Sequence, residues 1–158
     1  MRVLGVDPSL TGMGWAVFDN GKLVHAGLVK SDKPYKHAAD LGKIAQNLAA
    51  ALGYADAVDA LVVEIPQVYA TGKGDQNDLI AVSIVAGAVI NHFGETEDIV
   101  TVLPRQWKGQ VPKDIHNGRV MAKLSPAEIR VVEDSTTKSK RHNVIDAVGL
   151  CQWYLSTK

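Results

Sequence analysis

Apolar positions in this chain follow two rhythms, one of period two and one near 3.6, and they alternate along its length. Residues 2–7 (RVLGVD), 13–19 (MGWAVFD) and 22–30 (KLVHAGLVK) are short apolar runs that predict three strands. Asn20-Gly21, between the second and third, is a strong two-residue hairpin signal, because both residues tolerate positive φ. A helical rhythm takes over at 36–53, where Ala39, Leu41, Ile44, Ala45, Leu48 and Leu52 recur at helical spacing and Gly53 can close the end. Residues 59–64 (DALVVE) return to a near-continuous apolar run, the pattern of a strand buried on both faces. A glycine-rich polar loop at 70–78 leads into a second helix over 77–93, apolar around most of its circumference. Residues 99–103 (IVTVL) predict a fifth strand. Residues 104–125, interrupted by Pro104, Gly109, Pro112 and Gly118, predict loop mixed with short helix. Ser125-Pro126-Ala127-Glu128 has the form of a capping box with proline at the first helical position. Residues 133–140 (EDSTTKSK) predict an exposed loop, and 141–156 a final helix.

The order is therefore βββαβαβ and then helices. A hairpin meander followed by βαβ units implies an α/β fold, a mixed five-stranded sheet with helices on both faces. At 158 residues the chain is expected to be one domain, 1–158, burying about two-thirds of its unfolded surface. The single cysteine, Cys151, can form no internal disulfide and is expected to be a buried thiol on the last helix. No basic-then-apolar leader pattern opens the chain, and no apolar run reaches the length of about 18 residues that a membrane span needs. The expected location is the cytoplasm, or the host cytoplasm if the chain is phage-encoded, with no membrane partner.

Chemistry enters where the strands end. The first strand closes on Asp7 and the fourth on Glu64, and ligands of such sheets usually sit at strand carboxyl ends. If these strands are neighbours, two negative charges meet, which is unfavourable unless a proton or cation intervenes. A hard divalent cation such as Mg²⁺ or Mn²⁺ prefers such oxygens. The final helix carries Asp146 within an apolar stretch (VIDAVGL), where an aspartate is rarely buried without a partner. Asn143 lies three residues earlier on the same face, and His142 four. Asp7, Glu64, Asn143 and Asp146 thus form a candidate set of oxygen ligands. The alternative partners for Asp146 are Lys140, Arg141 or a backbone group.

Three motifs, GVDPSLTGMGWAV, VVEIPQVY and HNVIDAVGL, together with LPRQWK, occur in an order and placement that resemble the RuvC-type Holliday junction resolvases of the RNase H-like superfamily, in particular a compact phage or bacterial member. The resemblance runs over almost the whole chain. It implies an RNase H-like fold and a structure-selective endonuclease that resolves four-way DNA junctions by paired nicks. Asp7, Glu64 and Asp146 match the family's metal-binding carboxylates. Asn143 stands where the family usually has Asp or His, a departure. It is read as a neutral carbonyl-oxygen ligand, with His142 as an outer group able to handle a proton; the other readings are that His142 takes over part of the ligand role or that the second ion is weakly held. Two Mg²⁺ or Mn²⁺ ions about 4 Å apart would activate a water and stabilise the leaving 3′ oxygen.

The resemblance also implies that Tyr69, shortly after Glu64, wedges into the junction centre, although it lies two residues further on than in the usual bacterial pattern. Net charge is zero, but residues 1–103 carry 7 basic and 12 acidic side chains, and residues 104–158 carry 10 basic and 5 acidic. A basic face built from the C-terminal third follows. Arg105, Lys108, Lys113, Arg119, Lys123, Lys140 and Arg141, with Lys73 in the glycine-rich loop, are candidate phosphate contacts. Lys108 matches a basic position near the family's active site. Paired nicks on a two-fold substrate imply a homodimer. The helix at 77–93 is the candidate interface, with Ser83, Ala86 and Gly87 permitting close approach.

Two further function classes fit the same residues. One is an RNase H-like nuclease acting on flaps or other branched DNA or RNA. The other is a non-catalytic junction-binding module, motivated by the neutral Asn143.

Overall fold

A computed structural model describes residues 1–31, 38–53, 58–68 and 75–158. Strands β1 (Arg2–Asp7), β2 (Gly12–Asp19) and β3 (Lys22–Lys30) form the meander that opens the chain. Asn20 and Gly21 take φ values of 48° and 78°, so the hairpin turn has the left-handed pair of residues its sequence favours. Helix α1 (Ala38–Leu52) follows and closes on Gly53 at φ 69°. Then come β4 (Ala60–Glu64), α2 (Gln76–His92), β5 (Asp98–Val102), the single turn α3 (Pro104–Trp107), α4 (Lys113–Met121), α5 (Pro126–Ser135) and α6 (Arg141–Ser156).

The five strands are ordered β3-β2-β1-β4-β5 in one mixed sheet. β1 runs antiparallel to β2 and parallel to β4, and β4 runs parallel to β5. The mixed five-stranded α/β architecture expected from the pattern is therefore present. Its period-two alternation sorts side chains into two cores. Leu4, Val6, Trp15, Val17, Leu61 and Val63 face α1 and α2. Val3, Ala16, Phe18, Ala60 and Val62 face the other layer, where α6 packs with α4 and α5. By the same alternation, Asp7 shares the α6 face with Val3, and Glu64 shares it with Ala60 and Val62.

α6 lies unusually close to the sheet because small residues line its path. A Cβ on Gly5 would stand 2.5 Å from the Ala147 carbonyl oxygen and 2.6 Å from Cys151 Sγ. At its far end α6 is clasped to β5: Tyr154 donates its hydroxyl to Asp98 Oδ2 at 2.6 Å, and Lys158 Nζ reaches the same oxygen at 2.9 Å. Cys151 is buried, and burial pushes its thiol pKa well up, so it stays a protonated packing residue.

Two local expectations change. α5 continues to Ser135, through the first part of the segment predicted as loop, because Val132 is fully buried and pulls that turn onto the core. Ala86 is also buried, so it belongs to the face of α2 that covers the sheet rather than to its outer face. Among the described residues no helix is long and apolar enough to cross a membrane.

Candidate active site

The adjacency of β1 and β4 decides where the carboxylates go. Val6 is paired with Val63 across the parallel ladder, so Asp7 and Glu64 follow one residue later, side by side at the carboxyl ends of two neighbouring strands. Asp7 is also paired with Gly14 of β2. Gly14 abuts the backbone of Asn143, and Gly12 is tied to the Asn143 side chain, whose Nδ2 donates to the Gly12 carbonyl at 2.8 Å. That contact brings the first turns of α6 over the ends of β1 and β2. Asp146, nearly fully buried, stands one turn further along the helix. Residues from three distant parts of the chain therefore converge.

Each of the other two carboxylates acts on Asp7 through its charge. Burial raises the Asp7 carboxyl well above its ordinary value, and the charges of Glu64 and Asp146 raise it further. Burial likewise raises Glu64, against the opposing pull of Lys108. Lys108 Nζ lies between the other two carboxylates, 3.1 Å from Glu64 Oε2 and 3.7 Å from Asp146 Oδ2. Burial pulls the ammonium pKa down, but Asp146 and Glu64 outweigh it and the net shift is upward, so Lys108 stays charged. Among the described residues Asp7 has no ion-pair partner.

The sequence pattern offered Lys140 and Arg141 as partners for Asp146, and neither takes that place. Arg141 instead donates from Nη2 to the Glu133 carbonyl at 3.1 Å. The groups beside Asp146 are Lys108 and His116, whose Nε2 lies 3.5 Å from Asp146 Oδ1. Trp107 donates from Nε1 to Glu64 Oε2 at 2.6 Å. Neither His116 nor Trp107 had a place in the sequence-based site. A signal for His116 existed: it stands four residues before Val120 on α4, and both are buried. His142 is half-buried, and burial followed by the charge of Lys113 lowers its pKa, so its imidazole is neutral at pH 7.

The basic candidates separate into groups. Lys113, Arg119 and Lys140 are exposed. Arg105 grips Gln67, just beyond Glu64: with the amide oxygen turned toward the guanidinium, Nε and Nη2 both reach it at 2.8 Å. Lys123 sits at the opposite end of the sheet, lining a shallow concavity with Phe18, Lys22 and Glu128, and does not join the rim. Tyr69 and Lys73 lie outside the described residues.

No family model and no curated protein sequence matches the chain. Solved structures do. Thermus thermophilus RuvC in complex with a Holliday junction substrate is similar over 99% of this chain and 96% of its own, at 21% identity and a TM-score of 0.72. The fowlpox virus Holliday junction resolvase is similar over 99% of both chains, at 12% identity and a TM-score of 0.58. The chain has the fold of the RuvC-type Holliday junction resolvases. The yeast mitochondrial Holliday junction resolvase Ydc2 is also similar to this chain, at 11% identity and a TM-score of 0.57 over 97% of this chain and 77% of that one.

The donor set suits a hard divalent cation: three carboxylates, with Asn143 Oδ1 free of any hydrogen bond among the described residues. No three His, Cys, Asp or Glu side chains among the described residues stand close enough to enclose an ion by themselves. Mg²⁺ does not need such a cage, because it keeps several waters and takes one or two carboxylates plus substrate phosphate. The unbalanced negative charge at Asp7 is the feature a cation would relieve.

Proposed function

We propose that the chain is a divalent-metal-dependent endodeoxyribonuclease that resolves four-way (Holliday) DNA junctions by paired nicks, acting as a homodimer. One observation carries this reading: Asp7, Glu64 and Asp146 converge from two adjacent parallel strand ends and one helix, and raise one another's charge cost at Asp7. The RuvC-type fold supports the choice of substrate, since the Thermus thermophilus protein was solved with a Holliday junction.

Asp7, Glu64 and Asp146 would hold Mg²⁺, or Mn²⁺ in its place, with Asn143 Oδ1 as a neutral fourth donor and two ions per active site. When bound, the ions supply activation of the attacking water and charge stabilisation at the leaving 3′ oxygen. The chain's own part is positional and electrostatic. Glu64 is fixed by the Trp107 indole, and Asn143 by the Gly12 carbonyl. Lys108, between Glu64 and Asp146, would offer its positive charge to a scissile phosphate. His142, neutral and one turn before Asp146, can accept a proton at the edge of the site. Lys113, Arg119 and Lys140, exposed around the opening, are suited to phosphates of the junction arms. Tyr69 would stack at the junction centre, and Lys73 would contact a phosphate of the DNA. Arg105 and Arg141 act first on protein: one braces Gln67 and the other ties α6 to α5.

The homodimer follows from the two-fold substrate, and α2 is the surface suited to it. Ile80 is 61% exposed and Ile84 42%, on a face shared with Ser83 and Gly87. Such a stripe at helical spacing can pack against its own copy.

The test is a cleavage assay with Mg²⁺ on a four-way junction, a flap and a linear duplex side by side. Wild-type protein is expected to place symmetric paired nicks in the junction alone, while Asp146→Asn binds the junction and leaves it uncut. Scattered nicks on flap and junction alike would instead support a general branched-DNA nuclease. Tight binding without cleavage by the wild type would support a non-catalytic junction-binding module.

A further inference from the structure

Two aromatic side chains outside the ligand set touch the carboxylates directly. Trp107 closes α3, and its Nε1 donates to Glu64 Oε2 at 2.6 Å. His116 is 8% exposed on α4, and its Nε2 lies 3.5 Å from Asp146 Oδ1 while making no hydrogen bond. The two rings meet edge to face, centroids 4.9 Å apart and planes at 76°. The seat of Trp107 is built into α6: a Cβ on Gly149 would stand 2.6 Å from Trp107 Cζ3, so only glycine there leaves room for the indole. A chain of contacts thus runs from Glu64 through Trp107 and His116 to Asp146, and Trp107 within it packs on the helix that carries Asp146.

Lys108 offsets the repulsion between the two carboxylates by charge, but an ammonium at 3.1 and 3.7 Å does not fix the direction of their oxygens. Glu64 sits at a strand end with three side-chain torsions. Asp146 comes from another layer. Hydrogen bonds to the outer oxygens of ligating carboxylates orient the remaining lone pairs and typically alter ion affinity by about 10–100-fold.

We propose that Trp107 and His116 are positioning residues: a bracket in which the indole N–H holds Glu64 and the adjoining imidazole seats Asp146, fixing the separation of the two carboxylates for a divalent cation. This rests on the metal-dependent reading above. Both rings turn their polar atoms toward carboxylates, so the bracket is expected to act on ion affinity and turnover and not on junction binding.

The experiment measures Mn²⁺ affinity of the whole chain without DNA, by electron paramagnetic resonance of the free ion. Trp107→Phe keeps an aromatic side chain and removes the N–H, and is expected to weaken affinity by about 10–100-fold. The same variant should lower kcat with KM for the junction unchanged. His116→Phe should weaken ion affinity in the same direction. Asp7→Asn, which removes a ligand, separates the two ideas. If Trp107→Phe binds Mn²⁺ as the wild type does while Asp7→Asn does not, the bracket is overturned and the metal site stands. If Asp7→Asn also binds as the wild type does, the metal reading is overturned and the bracket with it. Should Trp107→Phe not fold, the indole Nε1–H resonance of Trp107 in wild-type protein decides. It is expected to shift as diamagnetic Mg²⁺ is added, and a resonance that stays in place through saturation overturns the bracket.

Discussion

Gly14 presses against the carbonyl of Asn143 so closely that a Cβ on Gly14 would overlap it. Gly14 is also the register partner of Asp7. The approach of α6 to the sheet and the approach of its polar end to Asp7 are therefore one contact.

Gly14→Ala should damage both fold and site. Overpacking typically costs about 1–3 kcal/mol, and here the obstacle is backbone, which cannot rotate away. Urea denaturation is expected to show that loss, and Mn²⁺ affinity should fall with it because Asn143 and Asp146 move together. Gly21→Ala, in open space at the hairpin turn, is the control for backbone strain without crowding. Equal ion affinity in Gly14→Ala and wild type would contradict the close-contact account.

The raised pKa of Asp7 predicts an unusual pH dependence in chelator. The folded chain holds that proton more tightly than the unfolded chain, so ionising Asp7 costs stability as pH rises toward and through the raised value. Below the unfolded value of about 3.9 both states are protonated and the cost disappears. Asp7→Asn carries no charge at any pH. Without divalent ions it should melt above wild type at pH 7, by about 2–4 °C for each kcal/mol relieved. The gap should close on acidification, and Mg²⁺ should narrow it at pH 7 by stabilising only the wild type. A lower melting temperature for Asp7→Asn at pH 7 in chelator would contradict this.

Asn143→Asp exchanges a donor for an anion. The Asn143 Nδ2 bond to the Gly12 carbonyl is lost, and two acceptors then face each other. The cost without metal is expected to be about 1–3 kcal/mol. A fourth carboxylate should also tighten Mn²⁺ binding, so the variant should gain more melting temperature from added ion than the wild type does. An equal gain would argue against Asn143 as a ligand.

Ile80→Glu combined with Ile84→Glu should leave the fold intact, because both side chains lie on the outer face of α2 away from Val85 and Val89. Sedimentation is expected to show a dimer for wild type and a monomer for the double variant. Junctions should then receive single, uncoordinated nicks. A wild-type monomer at micromolar concentration, or an unchanged dimer in the variant, would move the interface elsewhere.

How much of this was legible in the sequence depends on range. Period-two runs, the Asn20-Gly21 turn and the Ser125–Glu128 capping box are local, and the strands, hairpin and helix start appear where they were expected. Asp7, Glu64 and Asp146 were legible because each breaks an apolar pattern at a strand end or within a buried helix, where an unpaired charge is costly. α5 ran past its expected end because Val132 had a core to join, which the polar residues after it did not reveal. Ala86 looked like part of an interface stripe and proved to be core, because an all-round apolar helix does not say which side meets the sheet.

By itself the sequence determined the two rhythms, the order of elements and the three acidic positions, since local sterics and burial preferences act over a few residues. The neighbour relation of β1 and β4, the placement of Lys108 between Glu64 and Asp146, and the pairing of Trp107 with Glu64 were decided only in the folded molecule. Each joins segments tens of residues apart. Such contacts depend on which faces pack and how closely, and small residues at Gly5, Gly14 and Gly149 set that distance without leaving a periodic trace in the chain.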